Sequence, residues 1–474
     1  MAYRYGERRQ QMLFPPSLEE YVPPDAPVRV YDAFVDALDF TGLGIVVDPG
    51  KVGSPQYDPR AMLKLLLYGY SYGLRSSRKL ERECHYNVAF MWLTGGLQPD
   101  HKTIAEFRRK NKKALATVLK QCARLCIKLK LIEGNTLFVD GSGVRANAGI
   151  SNSWDAKRCE KRLKTLDARI TEILSECDSV DHHEADHGSL IQVQEELVDN
   201  VTLRSKVADI LEQLNAESKN SINTTDSDCT KIHGRQGSHA GYNVQNVVDE
   251  KYGMIVSTDV VNDNNDLNQF AAQIEQANET LGKACETACG DCGYSDVDEL
   301  EKIDAQNINV VVPNQREAAK KELGPFDVSK FSYDHEKDCY RCPAGEELKY
   351  RNTEANRSRK VYRAAASTCR ECCYFGVCTT NKNGRKVTRL LKEELREKLS
   401  QQYQQPANQE IYRLRKQKVE LPFGHMKHNL NFTGFSLRGL DGAKAEASLL
   451  SSCFNIVRMI TILGVPGLIS RLMT

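Results

Sequence analysis

The chain has 474 residues, 41% of them apolar and 27% charged, a globular composition that excludes wholesale disorder and fibrous repeats and predicts about three units at roughly 150 residues per domain. The net charge of +2 hides a partition: residues 58–132 carry 16 Lys and Arg against five Asp and Glu, residues 349–389 carry 11 against two, and residues 170–200 carry nine acidic residues, three histidines and no Lys or Arg. Concentrated positive charge suits a polyanionic partner even in a nearly neutral molecule, and a solvated basic face gives the same pattern. The opening MAYRYGERRQQMLFPP has no apolar signal segment and no run of about 20 apolar residues follows it, so neither export nor a membrane span is expected and the location predicted is cytoplasmic.

In chain order, a Pro-rich irregular start gives way to VRVYDAFVDAL, a short amphipathic helix, and then to a loop, DPGKVGSPQYDP. A long helical zone follows through RAMLKLLLYGYSYGL, SSRKLERECHYNVAFMWLTGG and DHKTIAEFRRKNKKALATVLKQCARLCIKLKLI, punctuated by Gly95 and Gly96, with Asp100 or Thr103 as the next helix cap. Residues 1–133 are therefore expected to form an all-helical basic domain. A helix, a turn and a basic helix fit DNA reading, with Arg108, Arg109, Lys110, Lys112 and Lys113 as phosphate contacts, and they fit a plain helical scaffold as well.

The pattern changes after Glu133. NTLFVDGSG reads as a short strand ending at Asp140, and SHAGYNVQNVVDEKYGMIVSTDVV as two strands joined around residues 249–253. Between them, residues 154–219 form a charged helical insertion through RCEKRLKTLDARITEIL and LRSKVADILEQL. The helix LNQFAAQIEQANETLG, the stretch ETACGDCGYSD, a helix from near Val297 and the strand NINVVVP complete the order β, β, β, α, β, α, β. That order predicts a mixed sheet with helices packed on it, with residues 134–313 as the first part of an α/β core and residues 406–474 as its C-terminal helices.

Asp140 and Asp291 each stand where a strand gives way to glycine, and strand ends are where ligands collect in open α/β sheets. A third carboxylate lies in YRLRKQKVELPFGHMK. There Glu420 follows Lys416 by four residues and precedes Lys427 by seven, a spacing that puts them along one helical face. Pro422 predicts a kink, stop or restart, so Glu420 is expected near a helical boundary, and a surface charge ladder is the competing reading.

The sixteen cysteines are mostly scattered, which favours reduced thiols. Six fall within 40 residues: Cys339, Cys342, Cys369, Cys372, Cys373 and Cys378. Cys339-x2-Cys342 and Cys369-x2-Cys372 have the spacing of a closed four-thiolate Zn²⁺ site, with Cys372, Cys373 and Cys378 competing on the second side and metal-free thiols as the alternative. They belong to a basic cysteine-rich insertion, residues 314–405, in which a metal would offset the lack of a strong apolar core. Its stretch RNTEANRSRKVYR offers phosphate contact or a solubilising surface.

Together these motifs resemble the bacterial insertion-sequence transposases of the DDE class, whose catalytic fold is RNase H-like. LFVDGSGVRAN is similar to the family's first Asp motif, carried by Asp140, and GDCGYSD to its second, carried by Asp291 with Gly293 and Tyr294 beside it. The closing Tyr, Arg, Glu, Lys signature resembles Glu420 and Lys427, with Tyr412 or a slightly shifted register for the Tyr. Lys416 stands at the Arg spacing, unless Arg415 takes that role one residue farther away. Asp266, in STDVVNDNND, takes the place of a supporting acidic residue. The resemblance implies an α/β chain with an RNase H-like mixed-sheet core that cleaves DNA and transfers strands at the ends of its own element. Asp140 would be the shared ligand of two Mg²⁺ or Mn²⁺ ions, Asp291 and Glu420 ligands of the separate ions, and Lys416 and Lys427 DNA contacts. Its partners would be double-stranded DNA, through terminal inverted repeats and target, and further copies of the chain on that DNA, with no membrane. The chemistry agrees, since two hard cations about 3.5–4 Å apart activate a nucleophile and stabilise the leaving oxygen in phosphodiester attack, and such cations take oxygen ligands. A catalytically inactive DNA-binding regulator derived from a transposase, and a metal-dependent nuclease without strand transfer, are the alternatives.

Overall fold

Apolar spacing and polar caps together divide the N-terminal region into short helices. The structure, a computed structural model, describes residues 17–45, 56–181, 187–217, 221–234, 237–319, 324–355 and 358–473, with side chains described outside residues 176–194. Residues 48–55 of the expected loop and the first 16 residues lie outside the described residues. The helix Pro59–Ser71 begins with a proline whose missing amide costs nothing at that position, and the Asp58 carboxylate accepts from Arg60 N–H at 2.9 Å. Its residues Leu63, Leu66, Leu67 and Tyr70, at i, i+3, i+4 and i+7, are buried. Asn87 splits the next expected helix in two, ending Ser77–Tyr86 and capping Val88–Leu93 through Ala89 N–H at 3.0 Å. Of the two candidate caps, Asp100 is the one used: it accepts from Thr103 N–H at 2.7 Å to start His101–Lys110. Lys112–Ala116 and Val118–Lys128 complete the region, whose regular elements among the described residues are all helices, as its periodicity requires.

The chain divides into two compact units, one made of Met1–Asp266, Ala272–Cys285 and Lys416–Thr474, the other of Leu267–Ala271 and Glu286–Arg415. Among the described residues six strands belong to the first: β1 (Thr136–Arg145), β2 (Ser153–Trp154), β3 (Ile222–Asn223), β4 (Thr230–Gly234), β5 (Gly237–Asp249) and β6 (Ile255–Val261). β5 pairs antiparallel with β1 from Leu137↔Asp249 to Arg145↔Gly241, with β4 through its first residues and with β6 through its last. β1 thus runs five residues beyond Asp140, where the sequence had it end. Glycine weakens a strand but does not stop one whose neighbour supplies the ladder, and β5 does so opposite Gly141 and Gly143.

The 154–219 insertion is a helical pair, Ala156–Asp181 and His187–Ala216, closed at its base by the β2–β3 clip. Its seam is built from Cys159 and Leu166 on one helix and Val207 and Leu214 on the other, seven residues apart in each case. Exposed pairs flank it, with Arg169 to Glu196 at 2.9 Å and Arg204 to Asp167 at 2.5 Å.

Leu440–Leu463 is the buried axis of this unit. Among the described residues it is the one helix long and apolar enough to cross a membrane, and 67% of its most apolar stretch is buried inside the protein. Small residues (Ala443, Ala447, Ser448, Ser451, Ser452) let neighbours approach closely. Ser448 Oγ accepts from Leu119 N–H at 3.1 Å, Cys453 Sγ donates to Leu67 O at 3.2 Å, and Asn455 exchanges two hydrogen bonds with Ile255 of β6 at 2.9 and 2.8 Å. Glu446, fully buried, accepts from Arg75 Nη1 at 2.7 Å and from the amides of Ser436 at 2.8 Å and Leu437 at 3.1 Å.

In the second unit, β7 (Thr287–Cys289) and β8 (Asn309–Val311) pair in parallel across the helix Val297–Asp304. A five-stranded antiparallel sheet follows, β9 (Ser332–Asp334), β10 (Cys339–Arg341), β11 (Glu347–Glu354), β12 (Arg359–Ala364) and β13 (Lys386–Leu390), in the order β13-β12-β11-β10-β9. It corrects the expectation of a segment without a strong core: Phe331, Tyr340, Leu348, Tyr362 and Val387 bury together. Asp338, at φ 42°, ties the edge by accepting from Tyr333 at 2.5 Å and Tyr362 at 2.6 Å. The architecture is an all-helical N-terminal region, a mixed α/β core and an antiparallel sheet.

Removing one member of a buried, hydrogen-bonded ion pair strands the other, so Glu446→Ala should cost about 3–5 kcal/mol. Arg169→Ala, at an exposed pair, should cost below about 1 kcal/mol. Urea unfolding of both variants measures the contrast, and equal losses would refute it.

Candidate active site

In the first unit, strand alternation sorts the residues around Asp140. Asp140 and Ser142 share one face of β1, and Gly141 and Gly143 the other. Behind Gly141 the space is already taken: a Cβ there would lie 2.4 Å from Asp266 Oδ1 and 2.5 Å from Gln245 Nε2. Asp266 Oδ1 accepts from Asn243 Nδ2 at 2.7 Å and Gln245 Nε2 at 2.6 Å, and both amides project from β5. Asp266 is thus a fixed carboxylate on the opposite face of the strand from Asp140. Directly across from Asp140, Asn246 Oδ1 accepts from Thr258 Oγ1 at 2.5 Å.

The helix Pro406–His428 runs unbroken through Pro422, so the expected stop or restart does not occur and Glu420 lies in the helix interior. Proline removes one backbone bond, and packing holds the rest: Val419, Phe423 and Met426, spaced by four and three, are buried. Lys416, Glu420 and Lys427 lie on an adjoining stripe. Lys427 Nζ donates to Ser142 Oγ at 2.8 Å, which puts this ammonium on the Asp140 face of β1. Glu420 stands about 10 Å up the helix axis from Lys427; its side chain is 65% exposed, with Lys416 Nζ at 4.0 Å.

In the second unit, Asp291 follows β7 and caps the turn Cys292–Tyr294, its Oδ1 accepting from Gly293 N–H at 2.8 Å. Gly290 leaves room for Phe270 and Tyr294, whose ring atoms would stand 3.1 and 3.2 Å from a Cβ at that position. The other carboxylate oxygen, Oδ2, faces Arg415 Nη2 at 3.4 Å, and the Arg415 side chain is 12% exposed. Arg415, and not the open Lys416, is therefore the cation beside Asp291. Tyr412 is pushed up to about 12, chiefly by burial, against the pull of Arg415, and packs edge-on to Tyr403 at 5.3 Å.

The basic cluster divides. Arg108 is 6% exposed and donates to Arg75 O at 2.8 Å, Tyr70 OH at 3.2 Å and Ser77 Oγ. It departs from the phosphate-facing surface expected of it because its guanidinium satisfies interior acceptors. Arg109 and Lys110 are exposed and share Glu106, at 2.6 and 3.3 Å, and the pair holds that carboxyl down to about 2 through the Arg109 hydrogen bond first. Lys112 Nζ donates to Arg438 O at 3.3 Å, and Lys113 is exposed.

Of the predicted zinc ligands, Cys342, Cys369 and Cys372 line one cavity, together with Cys378, while Cys339 is buried within β10 outside that lining. Among the described residues no group of three or more His, Cys, Asp or Glu side chains stands in metal-holding geometry.

Residues 16–110 match the family model described as transposase domain (DUF772), and residues 341–460 match the one described as transposase DDE domain. The two matches support a transposase-family assignment. No curated protein and no solved structure matches the chain. The first transposase match covers the helical region with Arg75 and Arg108. The second runs from Arg341 in β10, through the cysteines and the Glu420 helix, into the buried axis, and Asp140 and Asp291 lie outside both. No motif distinguished Arg75 or Glu446 in the sequence, because their roles depend on burial and long-range partners, and Arg415 stood there only as the alternative to Lys416.

Arg108→Ala should lower stability and leave the salt dependence of DNA affinity unchanged. Replacing Arg109, Lys110 and Lys113 together should weaken binding and reduce the slope of log K against log salt by roughly one per phosphate contact. Titrations of duplex DNA at several salt concentrations check this, and an unchanged slope in the triple variant would remove the cluster from the interface.

Proposed function

We propose that this transposase-family chain is a DDE-type DNA transposase with an RNase H-like catalytic core, which cleaves DNA and transfers strands at the ends of an insertion sequence. The observation that carries the proposal is the hydrogen bond from Lys427 to Ser142. It sets the Glu420 helix against the Asp140 face of β1, in the residue order of the closing DDE signature.

In this reading Asp140, Asp291 and Glu420 are the catalytic carboxylates. Their donors are hard oxygens, which fit Mg²⁺ or Mn²⁺, whereas the soft thiols belong to the five-stranded sheet. Such ions, when bound, neutralise charge at the scissile phosphate and lower the pKa of the attacking water or 3′-hydroxyl. The protein's own contribution is positional. Arg415 orients Asp291, Asp266 and its two amides support the strand behind Asp140, and Lys427 and Lys416 hold the DNA backbone near the carboxylates. Residues 1–133 serve as the DNA-binding domain through Arg109, Lys110, Lys112 and Lys113. The partners are the terminal inverted repeats, target DNA and further copies of the chain on that DNA, in the cytoplasm.

Asp140→Ala, Asp291→Ala and Glu420→Ala should each lower Mg²⁺-dependent cleavage of element-end DNA by on the order of 10²–10³-fold or more, with DNA binding retained. Near-normal cleavage by the three variants would sink the assignment. In the same assay with wild type, ends bound and never nicked would instead make the chain a regulator, and cutting without joining would make it a nuclease.

Arg415→Ala should lower cleavage by roughly 10–100-fold, the range for a group that orients a metal ligand, and should exceed the effect of Lys416→Ala. A larger loss with Lys416→Ala would return the signature arginine role to Lys416.

A further inference from the structure

Strand geometry decides which thiols of the cysteine-rich sheet can meet. Residues three apart in an extended chain leave on opposite faces. Cys339 lies within β10, between Asp334 of β9 and Lys349 of β11, and so faces away from the side on which Cys342 emerges. Tyr340, two residues before Cys342, enters the core with Leu348 and Tyr362, and Cys342, Cys369 and Cys378 pack against that same cluster. A thiolate pair formed by Cys339 and Cys342 would need a turn between them, and the turn comes only afterwards. Gly345 N–H donates to Cys342 O at 2.8 Å, Cys342 N–H donates to Glu346 O at 2.8 Å, and Gly345 takes φ 87°, open to glycine at little cost.

The opposite wall is built by a second compact turn. Cys369 lies in the helix Ala366–Glu371, and Cys372 follows it in extended conformation. The chain then doubles back, with Phe375 N–H donating to Cys372 O and Cys378 N–H to Tyr374 O, both at 2.9 Å. Arg385 fastens both ends of this turn, its amide donating to Cys369 Sγ at 3.4 Å and its Nη1 to Cys378 O at 2.9 Å. Cys342, Cys369, Cys372 and Cys378 line the single cavity between these turns, and Cys373 is exposed outside it.

We propose that Cys342, Cys369, Cys372 and Cys378 bind one Zn²⁺ as a closed four-thiolate structural site, and that Cys339 is no part of it. Binding converts four thiols to thiolates, releases four protons to solvent and changes no oxidation state. Side-chain rotation draws the sulfurs in to about 2.3 Å from the metal. The site joins the β10 turn to the segment before β13, so it fixes the edge of the sheet that the transposase DDE match enters at Arg341.

The test uses the full chain, purified from zinc-supplemented cells and washed with a mild chelator. Elemental analysis should find about one zinc per chain. Cys378→Ser and Cys342→Ser should each lose most of it, while Cys339→Ser and Cys373→Ser retain it. Loss with Cys339→Ser and retention with Cys378→Ser would overturn the ligand set. A measurement on the wild type alone guards against misfolded variants: the cobalt(II)-substituted protein should show the visible ligand-field and sulfur charge-transfer bands of a tetrahedral four-sulfur site, and a spectrum with fewer sulfurs overturns the proposal. So does zinc-free wild type with disulfides among these cysteines by mass spectrometry, or with undiminished protease resistance across residues 324–391.

Discussion

The buried ion pair between Arg75 and Glu446 is the constraint on which the first unit depends. A carboxylate removed from water is tolerable only when its oxygens are satisfied, and Glu446 is met by a guanidinium and two backbone amides. Arg75 is occupied in turn by the carbonyls of Gly434 at 2.6 Å and Asn431 at 2.8 Å. One pair thereby fixes three parts of the chain: the link between the helices Pro59–Ser71 and Ser77–Tyr86, the 431–437 turn and the buried axis. The turn passes the constraint onward, since Phe435 N–H donates to Arg145 O at 2.8 Å, and Arg145 is the last residue of β1. A connected path therefore runs from the region matched as transposase domain (DUF772) to the strand that carries Asp140. Pairs of this kind add less to net stability than to uniqueness, because few alternative packings satisfy every oxygen.

Periodicity and caps were legible in the sequence because they are local. The helices of the N-terminal region, the β5–β6 hairpin and the helix from Val297 emerge where apolar spacing and turn residues put them. What escaped local reading was decided by neighbours distant in sequence. β1 outruns Asp140 because β5 pairs with it, and the Glu420 helix absorbs Pro422 because Val419, Phe423 and Met426 are anchored in the core. Arg108 looks like its surface neighbours in composition, yet Tyr70, Ser77 and the Arg75 carbonyl draw it inside. A CxxC spacing carries a strong prior for a shared metal, and what it does not show is that Cys339 lies within β10 while Cys342 follows the strand's end.

The candidate carboxylates were legible as residues but not as surroundings. Asp140 was identified by its glycine neighbour, and the structural reason for that glycine is Asp266 pressed against it from the other face of the strand. Asp291 was identified in the same way, and the arginine position of the closing signature had been left open between Lys416 and Arg415. Burial decides between them: a guanidinium can share an enclosed position with Tyr412 and Asp291, while the neighbouring ammonium stays in water.

The helical insertion bears on how the sheet forms. β1 and β4 are separated by more than eighty residues, and the closure entropy of a flexible loop rises with the logarithm of its length. The β2–β3 clip, with Ser153 opposite Asn223, brings the two ends of that stretch together, and beyond the clip the seven-residue seam joins the helices Ala156–Asp181 and His187–Ala216 as a pair. To the chain closing β1 onto β5, the intervening segment then behaves as a short tether with a folded body attached. The length and surface of that body can change with little effect on strand pairing, so long as the clip survives.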